Sequence, residues 1–249
     1  MERLNGKIVL ITGGVSGIGL ATARLFREQG ARLAITGRDP DSLARAREEF
    51  GNDALVVRSD AGKVSEIESL VEQVRQRFGR LDVLFVNAAI AKPAPFEFVT
   101  EEQFDETVGI NLKGVFFTIQ KALPLFSNGG SIIVTTSIAN QMGSPNFSVY
   151  SASKAALRSL VQTLGLELIA KGIRINAISP GPISTPMFDR FGLPDEMVQG
   201  IKGEIERKSP IKRFGTPTEV ARAALFLATD ESSYIVGDEL VIDGGMSLL

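Results

Sequence analysis

The sequence predicts an α/β fold, a parallel sheet covered by helices on both faces, on two observations. Short runs rich in Val, Ile and Leu alternate with longer amphipathic segments along the whole chain. The first of these runs is followed by a glycine-rich turn that opens a helix-like segment. Continuous apolar runs suit strands buried on both sides. Strands alternating with helices imply βαβ units with right-handed crossovers. A chain of 249 residues, 44% of them hydrophobic, can form one such domain over residues 1–249.

Taken in order, "KIVLIT" (Lys7–Thr12) reads as the first strand and "RLAIT" (Arg32–Thr36) as the second. "ALVVRS" (Ala54–Ser59) is the third, and Asp39 and Asp41 before it look like helix-start residues. In "VSEIESLVEQVRQRF", Ile67, Leu70, Val71 and Val74 recur at helical spacing. "LDVLFVN" (Leu81–Asn87), "SIIVTTS" (Ser131–Ser137) and "IRINAIS" (Ile173–Ser179) continue the strand series, and "ELVID" (Glu239–Asp243) ends it. Leu157, Val161, Leu164 and Leu168 form the core stripe of another helix. Residues 180–215 interrupt the alternation with prolines, aromatics and a possible amphipathic helix. Such an excursion reads as a lid or binding loop, at about 183–214.

Composition excludes several function classes. The 27 basic and 29 acidic side chains leave a net charge of −2 with no basic stripe. That argues against nucleic acid or an anionic membrane as partner. With no cysteine and no histidine, disulfides, thiolate or histidine metal sites and Ser-His-Asp triads are ruled out, and no metal is expected. Any acid or base must be Tyr, Lys, Asp or Glu. The apolar run near the N-terminus is too short for a signal peptide or a membrane span, so the expected location is cytoplasmic.

The turn "ITGGVSGIGLATARLF" places Gly13, Gly17 and Gly19, with Ser16 and Ile18 between them, between strand and helix. Glycines let a diphosphate approach the backbone, and the helix start offers free N–H groups and a positive dipole end. The second strand ends "AITGRDPD", where Gly37 takes the place expected for a ribose-binding carboxylate and Arg38 follows. A guanidinium there suits a 2′-phosphate, with Thr36 adding a hydroxyl. NADP(H) is therefore favoured over NAD(H).

Tyr150 and Lys154 lie four apart in "YSASK" and share one helix face. A phenol has an ordinary pKa of ~10, and a cation one turn away favours its tyrosinate. With these residues the chain resembles the short-chain dehydrogenase/reductase family over essentially its full length. The family's glycine turn appears as Thr12, Gly13, Gly17 and Gly19. Its Asn-Asn-Ala-Gly segment appears as "VNAA", where Asn87 and Ala88 match while Val86 and Ala89 replace the other two. The catalytic tetrad maps onto Asn111 in "VGINLKG", Ser137 in "VTTSIAN", and Tyr150 and Lys154. "PGPIST" and "IDGG" also match.

The resemblance implies a Rossmann-type, doubly wound, seven-stranded parallel sheet of order 3-2-1-4-5-6-7 in an αβα sandwich. It implies interconversion of a carbonyl and a secondary alcohol by hydride transfer, with Tyr150 as general acid/base. Ser137, ending a strand, would steady the substrate oxygen, and Lys154 would hold the nicotinamide ribose. Asn111, in the helix after the fourth strand, would position a water. Asp60 and Ala61 would border the adenine, and Pro180, Gly181, Ile183 and Thr185 the nicotinamide. A homotetramer or homodimer is implied as well. Met187, Phe188, Phe191, Leu193 and Met197 in the lid suggest a substantially apolar substrate. A 3-oxoacyl-thioester reductase of the same family and a non-catalytic dinucleotide-binding regulator are the alternatives.

Overall fold

Strands form where the apolar runs lie, because Val and Ile fit a pleated surface covered on both sides. The computed structural model describes residues 2–127, 129–187, 191 and 194–249. Its strands are β1 (Ile8–Thr12), β2 (Arg32–Gly37), β3 (Leu55–Arg58), β4 (Val83–Val86), β5 (Gly130–Thr135), β6 (Ile173–Pro180) and β7 (Glu239–Ile242). All neighbours pair in parallel in the expected order, β3-β2-β1-β4-β5-β6-β7.

Alternate residues of each strand feed two separate cores. Val9 and Ile11 of β1, with Leu33, Ile35, Phe85 and Ile133, meet three helices: α1 (Gly17–Glu28), α2 (Pro40–Phe50) and, later in the chain, Pro217–Ala228. Ile8 and Leu10, with Leu84, Val86, Ile132 and Ile175, face the opposite helices. These are α3 (Val64–Phe78), α5 (Val115–Ala122) and α6 (Ser148–Leu168), with α4 (Glu101–Val108) packed against α6 outside this core. In α3, Ile67, Leu70, Val71 and Val74 are all buried, as their spacing requires. The result is a three-layer αβα sandwich of Rossmann type.

Parallel register brings all carboxyl ends of the strands to one side. Thr12 pairs with Val86, Val86 with Val134, and Thr135 with Ile178. The residues that follow these positions therefore converge at one edge, the usual ligand crevice of a doubly wound sheet. α4 does not run smoothly into α5. Gly109–Gly114 forms a π-helical turn between them, so Asn111 lies in a bulge rather than in a regular helix. β5 likewise stops before Ser137, whose side chain caps the 3-10 turn Ile138–Asn140 by accepting from the Ala139 N–H.

The excursion after β6 is pinned at both ends. Ile183 bridges to Gly215, the Ser184 N–H donates to the Gly215 carbonyl, and the Gly215 N–H donates to Pro182. Between them runs α7 (Asp195–Lys208), and beyond them α8 (Pro217–Ala228) starts at a Thr216/Glu219 capping box. Phe188 and Leu193 lie outside the described residues. No helix among the described residues is long and apolar enough to cross a membrane.

Candidate active site

The glycine turn lies directly after β1. Gly17 has φ of +52°, which an L side chain rarely adopts, and a Cβ on Gly19 would sit 2.2 Å from the Gly13 carbonyl oxygen. Ser16 is the N-cap of α1 but makes no side-chain cap bond. The amides of Gly17, Ile18 and Gly19 have no intrahelical acceptor in the first turn. Free amides, a bare backbone and the positive helix end together fit a diphosphate.

The turn is braced from β4 and β5. The Thr12 hydroxyl accepts the N–H groups of Asn87 (3.0 Å) and Ala88 (3.1 Å). The Asn87 amide donates to the Thr12 carbonyl and its Oδ1 accepts from the Thr135 hydroxyl. Asn87 and Ala88 thus act first as a scaffold for the turn.

Around β2, Arg38 is half-exposed and its guanidinium lies 3.7 Å from the Asp60 carboxylate. An exposed pair of this kind is weak, so the doubly charged phosphate of a coenzyme competes with it readily. A Cβ on Gly37 would lie 2.2 Å from Val15 Cγ2, so a carboxylate could not take that place without moving Val15. Asp60 accepts from the Gly62 N–H, and its own N–H donates to Glu66. A Cβ on Gly114 would meet the Ala61 carbonyl at 2.1 Å, so the loop carrying Asp60 and Ala61 packs against the turn carrying Asn111.

Three of the four tetrad side chains converge. Ser137 hydrogen-bonds Tyr150, and Lys154 Nζ lies 5.7 Å from the Tyr150 ring centroid. Burial pushes the Tyr150 phenol up from its ordinary value, and the Ser137 hydrogen bond pulls it partly back. The phenol is therefore protonated and able to donate. Lys154 is buried and donates to the Thr135 carbonyl at 2.7 Å. Burial lowers its pKa to about 7.

Asn111 is fully buried with both amide hydrogens in use, on the Ile90 carbonyl and the Ser153 hydroxyl, while its Oδ1 accepts from the Ile90 N–H. Ser153 in turn donates to the Tyr150 carbonyl. The side chain ties the loop after β4 to the helix bearing Tyr150.

The segment after β6 closes the other side. Pro180 ends β6, the Gly181 N–H donates to Ile242, and a Cβ on Gly181 would lie 2.6 Å from Asp243 Cβ. Asp243 accepts from Gly245 and Ser247, so the "IDGG" motif supports the "PGPIST" segment. Ile183 is buried, and the Thr185 methyl lies 3.3 Å from a Cβ built on Gly17. The sequence reading missed Phe147, although it stands only three residues before Tyr150. Its ring contacts Tyr150 edge-on at 6.0 Å and Phe191 at 5.8 Å. Met187 is partly buried and Met197 half-exposed.

Comparison with known proteins agrees with this geometry. A family described as "Enoyl-(Acyl carrier protein) reductase" matches residues 13–247. The chain is 39% identical to the 3-oxoacyl-[acyl-carrier-protein] reductase FabG of Thermotoga maritima, over 98% of this chain and 99% of that protein. It is 37% identical to a glucose 1-dehydrogenase of Gluconobacter oxydans, over 99% and 94%. With an NADP-dependent (R)-specific alcohol dehydrogenase of Lentilactobacillus kefiri it shares 34% identity, over 98% of each. The chain belongs to the short-chain dehydrogenase/reductase family and is an NAD(P)-dependent oxidoreductase.

Proposed function

We propose that the protein is an NADP-preferring carbonyl reductase or secondary-alcohol dehydrogenase. The observation that carries this reading is the meeting of Ser137, Tyr150 and Lys154 beside a glycine turn with free amides. When bound, the reduced nicotinamide supplies the hydride. The Ser137 hydroxyl donates a hydrogen bond to the substrate oxygen, and Tyr150 delivers the proton as charge builds there. Lys154 Nζ lies 5.7 Å from the phenol ring, and in its charged form it would favour tyrosinate as the proton leaves. In the oxidative direction the same tyrosinate takes the alcohol proton. The donor set fits the coenzyme: Ser16 and the amides of residues 17–19 would hold the diphosphate, and Arg38 the 2′-phosphate. Asp60 and Ala61 would border the adenine, with Asn87, Ala88, Pro180, Gly181, Ile183 and Thr185 toward the nicotinamide. Asn111 serves this arrangement by fixing the loop at Ile90 and the helix at Ser153.

Residues 183–214 form a lid on a single domain, a reading supported by the pinned ends of that segment. Phe147 and Phe191 beside Tyr150 support an apolar or aromatic substrate. Exposed Leu166 on α6 and Ile169 just after it, and Leu240 and Val241 on the edge strand β7, support a homotetramer or homodimer. A cytoplasmic location is supported by the absence of cysteine. Reduction of a 3-oxoacyl thioester is the second reading, favoured by the likeness to the Thermotoga maritima enzyme.

The test is NADPH consumption with cyclohexanone, acetophenone and ethyl acetoacetate, alongside a 3-oxoacyl thioester. Turnover of a simple ketone that Tyr150→Phe abolishes supports the first reading. Turnover of the thioester alone supports the second. Full activity of a folded Tyr150→Phe protein overturns the catalytic assignment.

A further inference from the structure

Ser137 stands on a short turn outside any strand, while its partner Tyr150 stands on α6. Lys154 ties the helix to the Thr135 carbonyl two residues before Ser137, and a further tie would hold the turn itself. The described residues provide one carboxylate that touches both. Glu239, the first residue of β7, has a side chain only 7% exposed. Its Oε1 accepts from the Thr136 hydroxyl at 2.5 Å and from the Asn140 amide at 2.6 Å. Thr136 and Asn140 bracket Ser137 on either side. Its Oε2 lies 3.5 Å from Arg158 Nε. Arg158 follows Tyr150 and Lys154 at four-residue steps along α6, on the stripe that bears the site.

We propose that Glu239 is a positioning residue, which clamps the Ser137 turn to the helix carrying Tyr150 and Lys154. The inference rests on the catalytic assignment made above. Asn140 is held by this clamp and little else: its Oδ1 is buried without a hydrogen-bond partner. Thr136 has a second acceptor, the Ile178 carbonyl at 3.0 Å, so Asn140 is the arm that depends most on the carboxylate. Without it the turn keeps its own short-range bonds, Ala139 N–H to Ser137 and Asn140 N–H to the Ser137 carbonyl, and the anchor of Thr136 on the Ile178 carbonyl of β6. None of those bonds reaches α6. Neither coenzyme nor substrate needs to touch Glu239, so its loss acts on the chemical step and leaves coenzyme affinity alone. Glu239 also borders a cavity of about 60 Å³ with Arg158, Gln162 and Asp238. Truncation there enlarges a polar space that water can fill, which favours a folded variant.

The experiment compares wild type, Glu239→Ala, Glu239→Gln, Asn140→Ala and Tyr150→Phe. Each is assayed with NADPH and the fastest of the three ketones, and NADPH dissociation constants are taken from coenzyme fluorescence. Glu239→Ala and Asn140→Ala are expected to lower kcat at least tenfold, with NADPH affinity within threefold of wild type. Glu239→Gln keeps an acceptor oxygen for Thr136 and Asn140, and is expected to restore kcat to within threefold. Wild-type kcat in a folded Glu239→Ala or Asn140→Ala protein, with Tyr150→Phe inactive, overturns the clamp alone. An active Tyr150→Phe overturns the catalytic assignment and the clamp with it. If Glu239→Ala fails to fold, Asn140→Ala, which leaves β7 untouched, decides.

Discussion

Lys154→Met tests the electrostatics of the site without coenzyme or substrate. Lys154 is 2% exposed, and burial takes its pKa from the ordinary 10.5 to about 7. A lysine whose folded pKa lies below its unfolded one binds fewer protons in the folded state across that interval. Stability then rises with pH between about 7 and 10.5, and the cost of charging the buried amine is fully present below pH 7. At ~1.4 kcal/mol per pH unit, that cost is on the order of 5 kcal/mol. Methionine removes it but also removes the hydrogen bond to the Thr135 carbonyl, a loss of about 1–3 kcal/mol at every pH. The coenzyme-free variant is therefore expected to be the more stable protein at pH 6, by about 2 kcal/mol or more. Its advantage shrinks by about 3 kcal/mol on going to pH 9.5. Guanidinium unfolding of both proteins at the two pH values, at one fixed protein concentration, measures this difference. A gap between wild type and variant that changes by less than about 1 kcal/mol over that range would refute the buried-amine argument.

Three further outcomes follow from the geometry. Arg38→Ala is expected to lower kcat/KM for NADPH by about 10- to 100-fold, the worth of one hydrogen bond to a charged group, with NADH changed by less than about threefold; equal losses for both coenzymes would contradict a 2′-phosphate contact. Gly19→Ala forces a Cβ against the Gly13 carbonyl, so an overpacking cost of about 1–3 kcal/mol and weaker coenzyme binding are expected, read by melting temperature and by fluorescence titration. Thr216→Ala removes the cap of α8 and is expected to cost about 1 kcal/mol in denaturant unfolding. Arg213 and the Thr216 N–H hold the Glu219 pKa at about 2, so the stability from that carboxylate is present above its unfolded value and lost as pH falls toward 2.

The central strands were legible because their apolar runs are buried on both faces, as Ile8–Thr12 shows with every residue buried; their order came from the family resemblance. Tyr150, Lys154 and the glycine turn were legible for a different reason: each is a local pattern whose spacing carries its own geometry. Ser137 was harder. The run "SIIVTTS" stays β-branched past the last ladder pairing at Thr135, so nothing local marks where the strand yields to a cap. Asn111 looks like an ordinary helical residue, since a π-helical turn adds one residue without any signature of its own. Phe147 drew no notice because its partner Phe191 stands in the excursion. Glu239 could not be read at all, since "DELVID" is an edge-strand pattern and its partners Thr136 and Asn140 are about a hundred positions away. Contacts of that range come from topology, which sequence spacing does not encode.

The strand order also sets a sequence of events for a chain that is still being made. β1, β2 and β4 all lie within the first 86 residues, so the strands beneath the phosphate cradle are made early. The proton-transfer side is made later. Its turn comes from the segment after β5, its helix from α6, and the carboxylate touching both from β7, the last strand to emerge. A single domain folds as a unit, and α1, which carries the cradle, shares its core with α8 near the C-terminus. Coenzyme binding and turnover therefore wait on the same late elements.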